Sequence, residues 1–322
     1  MQRLTLRSRV ILLAILVALL AMSTGAAARF VFSTLTPSPT PMPLILTPLP
    51  SPTPILTAKE ALPAITSEAA YLLDADTGSV LADINGEQPM PMASTTKIMT
   101  ALIAIQTGNL DQLVTIKQDA YDEVHLRDGS SAQLVVGDQI PLEDLLYGLM
   151  LPSGDDAAIA IADALAGTPE LFVQRMNLFA YHLRLFQTHY LDPDGLTVYT
   201  ADGPDPDHYT TAADLTRLAR YAMSQSLFAQ IVQTKKYTLA ATALHHAYTW
   251  VTTNTLLDTY PGMTGIKTGY TVEAGYCLVF AATRNGHHLI GTVLHNAGDT
   301  ARFNDAKALL NWGFTLPLLP PP

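Results

Sequence analysis

The stretch 93–104 reads ASTTKIMTALIA and opens a helix. Its apolar side chains include Ile98 and Leu102, and Ile105 follows just beyond it, so that they recur at the three- and four-residue spacing of a single helix face. A glycine and an asparagine come directly after this pattern, and both residue types are typical of helix ends. We therefore predict a helix over 95–107, with a serine and a lysine in its first turn.

Strand patterns lie near both ends of the chain, on either side of this helix. The runs 69–73 and 79–84 are apolar and flank a turn, so they predict a hairpin. Near the other end, the dipeptide Asn285-Gly286 predicts a tight turn between two further strands. The region from about 110 to 225 has mostly helical patterns. We predict an α+β fold in which one sheet is built from both chain ends, is flanked by helices and contains a mostly helical insert.

Composition and charge restrict the classes of function. The 322 residues are 48% hydrophobic, which is enough for a substantial core, and the formal net charge is -10. This acidic balance argues against nucleic acid as a partner. The one cysteine, Cys277, excludes an internal disulfide and is expected in a buried strand.

The N-terminal residues have the pattern of an export signal. Three arginines precede an uncharged apolar run over 10–22, and small residues with an A-x-A pattern follow at 26–28. We predict that 1–28 is a signal peptide or, alternatively, an uncleaved membrane anchor. The segment 29–64 is rich in proline and threonine and is predicted to be an extended linker. The globular domain is expected over 65–314, followed by a short tail over 315–322.

The first reactive pair is Ser94 with Lys97, which forms the pattern S-x-x-K. A residue three positions further along a helix lies on the same face, so the two side chains can meet. A serine hydroxyl needs a base to become a nucleophile, and a lysine is a base only when it is neutral. Burial and a second nearby cation favour the neutral form, and Lys267 could be that cation. The alternative is an ordinary helix cap beside a solvated lysine.

Two further motifs follow in order. Ser153-Gly154-Asp155 is close to the pattern S-x-N, and its serine lies at a turn from which a hydroxyl could relay a proton. The alternative is an ordinary helix N-cap. Lys267-Thr268-Gly269 lies on a predicted strand, where an ammonium and a hydroxyl would suit a substrate carboxylate. The alternative there is a surface pair.

No competing reactive site is apparent in the sequence. The histidine pairs 245–246 and 287–288 consist of adjacent residues, whose side chains point in different directions. The chain contains no H-E-x-x-H, no G-x-S-x-G and no phosphate-binding glycine loop. We therefore expect no metal.

Together these motifs resemble the serine-type D-alanyl-D-alanine carboxypeptidases, the low-molecular-mass penicillin-binding proteins. The likeness covers about 65–314 and is carried by the stretches 93–104, 129–158 and 260–277. It implies a β-lactamase/transpeptidase-like fold whose catalytic domain is 65–314. Peptidoglycan stem peptides would be the substrates, and β-lactam antibiotics would be covalent inhibitors. Neither a metal nor an organic cofactor is implied. The protein would be exported, with membrane contact only through its N-terminal segment.

The resemblance also implies roles for individual residues. Ser94 would attack the carbonyl between two D-alanines with Lys97 as the base, and Ser153 would pass a proton to the departing D-alanine. Backbone N-H groups of Ser94 and Tyr270 would form the oxyanion hole. The expected substrate-binding residues are Asp155, Lys267, Thr268, Gly269 and Tyr270.

Two residues depart from the family pattern, which usually has asparagine where this chain has Asp155 and Asp192. A carboxylate only accepts hydrogen bonds, so Asp155 could pair with Lys97 and stabilise its charged form. We predict reduced or acid-shifted activity.

Other members of the same fold remain as alternatives. These are a DD-endopeptidase, a β-lactamase-like hydrolase and a non-catalytic wall-binding protein. A class A β-lactamase uses a loop glutamate to activate water, and the loop 190–209 of this chain contains none.

Overall fold

The structure is a computed structural model that describes residues 61–316. The predicted signal or anchor over 1–28, nearly all of the predicted linker over 29–64 and most of the tail over 315–322 lie outside these residues. The domain bounds 65–314 stay a prediction. No helix in the described part combines the length and apolar character needed to cross a bilayer.

Eleven strands occur in the described part of the chain. In chain order they are β1 Ala69–Asp74, β2 Val80–Ile84, β3 Leu113–Thr115, β4 Gln139–Pro141, β5 Tyr199–Thr200, β6 Gly203–Pro204, β7 Lys236–Leu239, β8 Tyr248–Val251, β9 Met263–Thr271, β10 Gly275–Arg284 and β11 His287–Asn296.

The main sheet has five antiparallel strands in the order β2-β1-β11-β10-β9. Ala69 of β1 pairs with Leu294 of β11, so the two ends of the domain meet at the centre of the sheet. The prediction of one sheet built from both chain ends is therefore confirmed. Asn285 and Gly286 both have positive φ, 53° and 76°, as the tight β10-β11 turn requires.

The helices lie mainly between the two sets of sheet strands, as the sequence predicts. They are α1 Lys97–Thr107, α2 Gln118–Arg127, α3 Leu142–Met150, α4 Asp155–Ala166, α5 Pro169–His182, α6 Ala212–Met223, α7 Ser226–Gln233, α8 Leu256–Thr259 and α9 Asp299–Gly313. The predicted helix over 95–107 is preceded and partly replaced by a short 3₁₀ helix, Ala93–Thr96.

Helices cover both faces of the main sheet. Apolar side chains of α9, including Phe303 and Leu309, pack with Leu72 and Val293 of the sheet in one buried cluster. On the opposite face, Thr216 of α6 donates a hydrogen bond to Thr292 of β11. The 3₁₀ helix that precedes α1 packs against β9, so the first and third motifs come together at this edge of the sheet.

Candidate active site

Ser94 lies in the 3₁₀ helix, where it is buried but retains 9% of its exposure. This helix approaches β9 closely because position 269 is glycine. A Cβ on Gly269 would lie 3.1 Å from the Cβ of Ala93 and 3.2 Å from the backbone nitrogen of Ser94. Such contacts are tighter than ordinary packing allows. The glycine of the third motif therefore brings the strand to the nucleophile.

Lys97 begins α1 and is fully buried, so its ammonium must find every partner inside the protein. Its Nζ donates to Ser94 Oγ at 3.0 Å and to the backbone oxygen of Asp194 at 2.7 Å. It also donates to Asp155 Oδ1 in a buried ion pair. Three acceptors thus surround the three N-H bonds that an ammonium offers.

Asp155, the first residue of α4, makes hydrogen bonds to other residues of the protein through both of its carboxylate oxygens. Its second carboxylate oxygen accepts from the backbone N-H of Ser130 at 2.7 Å. Burial raises the pKa of Asp155, and the positive charge of Lys97 offsets part of that rise. The structure thus contains the pairing with Lys97 that the sequence suggests, whereas contact of Asp155 with substrate stays a prediction.

Ser153 has left-handed backbone geometry, with φ at 68°. Gly154, and not Ser153, is the N-cap of α4, and no side chain caps that helix end. The alternative reading of Ser153 as an ordinary N-cap is therefore wrong. Its hydroxyl is buried and has no hydrogen-bond partner among residues 61–316, so it is free to bond to a substrate.

Lys267 and Thr268 lie on β9 and are both buried, so the alternative of a surface pair is also wrong. Lys267 Nζ donates to the backbone oxygen of Thr268 at 2.9 Å. Burial, with the positive charges of Lys97 and Arg302 adding to it, holds the pKa of Lys267 well below its ordinary value. The hydroxyl of Thr268 lies 2.6 Å from that of Thr253.

Arg302 is a part of the site that the sequence did not reveal. It belongs to α9, and its guanidinium donates to the backbone oxygens of Gly269 at 2.8 Å and Cys277 at 3.1 Å. It also lies over the ring of Tyr276, on which Tyr270 stacks at 4.3 Å. No motif or spacing in the sequence connects Arg302 with the other residues of the site.

The loop after α5 contributes two acidic residues, of which the sequence analysis noted Asp192 but not Asp194. Asp192 accepts hydrogen bonds from the backbone N-H groups of Asp194 and Gly195, at 3.2 and 2.6 Å, and so forms a tight turn. Burial, reinforced by the charges of Asp192 and Asp155, raises the pKa of Asp194 well above its ordinary value. The backbone oxygen of Asp194, and not its carboxyl group, accepts the hydrogen bond from Lys97.

A glutamate reaches this loop from another part of the chain. Glu273, in the turn between β9 and β10, accepts hydrogen bonds from Thr197 Oγ1 at 2.6 Å and from the Tyr199 hydroxyl at 2.5 Å. Inspection of 190–209 alone could not find it.

The geometry suits acyl transfer. A hydroxyl lies beside a lysine that can take its proton, and a strand that carries a buried lysine and a threonine hydroxyl packs alongside. Within 61–316 no group of three or more histidine, cysteine, aspartate or glutamate side chains is arranged to hold a metal ion.

Known proteins with similar sequences fit this chemistry. The family model described as D-alanyl-D-alanine carboxypeptidase matches residues 56–298. A D-alanyl-D-alanine carboxypeptidase of Streptomyces sp. strain K15 is 40% identical over 266 residues, which cover 79% of this chain and 89% of the relative. The D-alanyl-D-alanine carboxypeptidase DacF of Bacillus subtilis strain 168 is 30% identical over 250 residues, which cover 77% of this chain and 62% of the relative.

A solved structure extends the similarity to the fold. The crystal structure of the Streptomyces K15 DD-transpeptidase has a TM-score of 0.74 and 40% sequence identity to this chain. The match covers 80% of this chain and 100% of that one.

Proposed function

Because the chain belongs to the D-alanyl-D-alanine carboxypeptidase family, we propose that it removes the terminal D-alanine of peptidoglycan stem peptides through an acyl-enzyme on Ser94. The observation that carries this proposal is the 3.0 Å hydrogen bond between Lys97 Nζ and Ser94 Oγ. It supports the proposal because the Lys97 amine lies within hydrogen-bond distance of the only serine in the chain that belongs to an S-x-x-K motif.

The first step is attack by Ser94 on the carbonyl that joins the last two D-alanines. Lys97, in its neutral form, accepts the hydroxyl proton as the new C-O bond forms. Backbone N-H groups of Ser94 and Tyr270 stabilise the negative charge on the carbonyl oxygen. The close approach of β9 to the 3₁₀ helix, which Gly269 permits, supports this pairing of N-H groups.

The substrate is held by its terminal carboxylate. Lys267 and Thr268 supply an ammonium and a hydroxyl on the same strand, and Arg302 adds positive charge behind them. Because Lys267 has no carboxylate partner of its own among the described residues, an incoming carboxylate would supply the missing countercharge.

Departure of the D-alanine requires a proton on its nitrogen. The unpaired hydroxyl of Ser153 can relay that proton from Lys97, because it has no competing partner in residues 61–316. Water then attacks the ester on Ser94, and Lys97 serves again as the base.

The proposed setting is extracytoplasmic, in the cell wall or at the outer face of the membrane, because the substrate is found there. Any membrane contact would come from the N-terminal segment. β-Lactam antibiotics, which carry a carboxylate beside a strained amide, would acylate Ser94.

The test is mass spectrometry of a pentapeptide stem after incubation with the protein. Loss of one D-alanine is expected, together with covalent labelling of the protein by a fluorescent penicillin. Both should disappear in Ser94→Ala. If the unaltered protein is labelled but leaves the pentapeptide intact, it is a penicillin-binding protein without this carboxypeptidase activity.

A second candidate activity is transfer of the acyl group to an amine instead of water. The relative whose structure matches is named a DD-transpeptidase, which favours this possibility. Addition of D-amino acids or glycine to the pentapeptide assay distinguishes the two, because transfer yields a peptide with a new C-terminal residue. Rapid hydrolysis of nitrocefin would instead indicate a β-lactamase-like enzyme.

A further inference from the structure

The neutral form of Lys97 needs more than proximity to act as a base. A neutral amine has two N-H bonds and one lone pair, and the lone pair must point at Ser94 Oγ to accept its proton. The other two acceptors of Lys97 are Asp155 and the backbone oxygen of Asp194. When these two oxygens take both N-H bonds, the lone pair is directed at Ser94.

Of these two acceptors, the Asp194 oxygen depends on the position of a loop. On its inner side the loop is fixed to α1, because Thr100 Oγ1 donates to the backbone oxygen of Pro193 at 2.6 Å. Gly195 lies so close to the 3₁₀ helix that a Cβ on it would be 2.0 Å from the Ala93 oxygen. The chain then turns away from the helix. The next hydrogen bonds that join it to other segments are those of Thr197 and Tyr199 with Glu273 and Arg127.

Glu273 is the attachment that joins the loop to the substrate-binding hairpin. Its carboxylate accepts hydrogen bonds from Thr197 and Tyr199, which follow Asp194 by three and five residues. Burial alone would raise the pKa of Glu273, but the hydrogen bonds to its carboxylate, those from Thr197 and Tyr199 foremost, together outweigh burial and lower it. The carboxylate is therefore ionised near pH 7 and accepts strongly from both hydroxyls.

The packing of the loop against its neighbours is incomplete at this point. A cavity of about 30 Å³ lies between the loop, the start of the 3₁₀ helix and the β9-β10 turn, and Thr197, Glu273 and Ala93 are among its lining residues. That space is enough for a water molecule. A second polar contact at this point comes from Arg127, an exposed residue that donates to the Thr197 backbone oxygen at 3.1 Å.

We propose that Glu273 is a positioning residue for the reaction, which orients the lone pair of Lys97 by tying Thr197 and Tyr199 to the β9-β10 turn. This inference rests on the proposed function of Ser94 and Lys97. Glu273 acts at a distance, through the loop and the Asp194 oxygen, and it does not touch the reacting atoms.

The experiment measures acylation of Ser94 by a fluorescent penicillin over a range of concentrations. In Glu273→Ala the limiting acylation rate should fall about tenfold, because a misdirected lone pair costs rate at the chemical step. The half-saturating concentration should not change, because Lys267 and Thr268 keep their positions. Glu273→Gln, which keeps one accepting oxygen, should show a smaller loss. Glu68→Gln, an exposed glutamate whose one ion pair is with His295, is the matched control and should behave as the unaltered protein.

Two further variants test the route. Tyr199→Phe removes one donor hydroxyl while keeping an exposed ring, so it should reproduce part of the loss without affecting folding. In a Lys97→Met background, Glu273→Ala should have no additional effect, because Lys97 is the group through which it acts.

The proposal is overturned if Glu273→Ala leaves the limiting rate unchanged, or if its loss persists in full in the Lys97→Met background. A rise in the half-saturating concentration in place of a fall in the limiting rate would also overturn it. Failure of the unaltered protein to be labelled at all would instead remove the proposed function, so the two failures are distinguishable.

Discussion

Two lysines are completely buried in this site, and their surroundings differ. Lys97, on the helix side, has a carboxylate, a hydroxyl and a backbone oxygen as acceptors. Lys267, on the strand side, has one backbone oxygen and two neighbouring cations that disfavour its charge. Lys97 already has a carboxylate counterion in the absence of substrate, whereas Lys267 would gain one only when an anion binds. The proposed catalytic lysine and the proposed binding lysine thus differ in whether they already have a carboxylate partner.

The largest difference is expected in the chemical step. Lys97→Met should lower the rate of acylation of Ser94 about 10³-fold, because general-base assistance contributes 10² to 10⁴. The acylation rate is measured with a fluorescent penicillin at saturating concentration, by stopped flow for the unaltered protein and by manual sampling for the slower variant. A loss of less than tenfold would mean that another group takes the Ser94 proton.

Replacing each of the two lysines by methionine should also change the stability of the fold by different amounts. Lys97→Met leaves Asp155 buried without its cation, so we expect a loss of about 3 kcal/mol in the free energy of unfolding. Lys267→Met replaces a buried amine that lacks a carboxylate partner, so we expect no loss or a small gain. Urea unfolding at pH 7 without ligand compares them, and equal losses would abolish the distinction between the two lysines.

Replacement of Lys267 should weaken substrate binding and leave the chemical step largely unchanged. Lys267→Met should raise KM for a pentapeptide roughly 30-fold, since a charge-assisted hydrogen bond contributes about 1.5–3 kcal/mol. For a peptide that ends in an amide instead of a carboxylate, the same substitution should change KM little. A similar rise for both peptides would show that Lys267 does not recognise the carboxylate.

Asp155→Asn is expected to have a moderate effect. It removes the carboxylate partner of Lys97 and leaves that lysine, like Lys267, without one. The substitution removes the negative charge that is paired with Lys97, so acylation should rise about fivefold near pH 7 and its pH profile should change. An unchanged rate and pH profile would exclude this role of Asp155.

The smallest effect is a dependence of stability on pH. The folded pKa of Lys267 is lowered, so between that value and its ordinary 10.5 the unfolded chain binds more protons than the folded one. The free energy of unfolding should therefore gain a contribution from Lys267 that rises with pH across that window. Comparing urea midpoints with those of Lys267→Met isolates it, and identical slopes with pH would contradict the lowered pKa.

The residues of the three motifs were predictable because each motif is local. Ser94 and Lys97 share a helix face, and Lys267 lies on a strand with a clear pattern. Similarly, the apolar runs and the Asn285-Gly286 turn predict the sheet. The contact of Asp194 with Lys97 was not predictable. It is made by a backbone oxygen, which every residue type has.

Other parts of the site depend on contacts between distant segments. Arg302 and Glu273 reach the site across turns and strands, so no spacing in the sequence connects them with Ser94. The left-handed conformation of Ser153 was also hidden, since that residue type rarely adopts it. Tertiary packing, and not local preference, sets these positions.

The sheet that joins the two chain ends also sets the order in which the enzyme becomes competent. Ser94 is synthesised 267 - 94 = 173 residues before Lys267, and β1 has no central partner until β11 exists. A chain that is still emerging therefore carries its proposed nucleophile without the strand that we propose binds the substrate. Activity is therefore expected only after β9, β10 and β11 have been synthesised and the sheet has closed on β1.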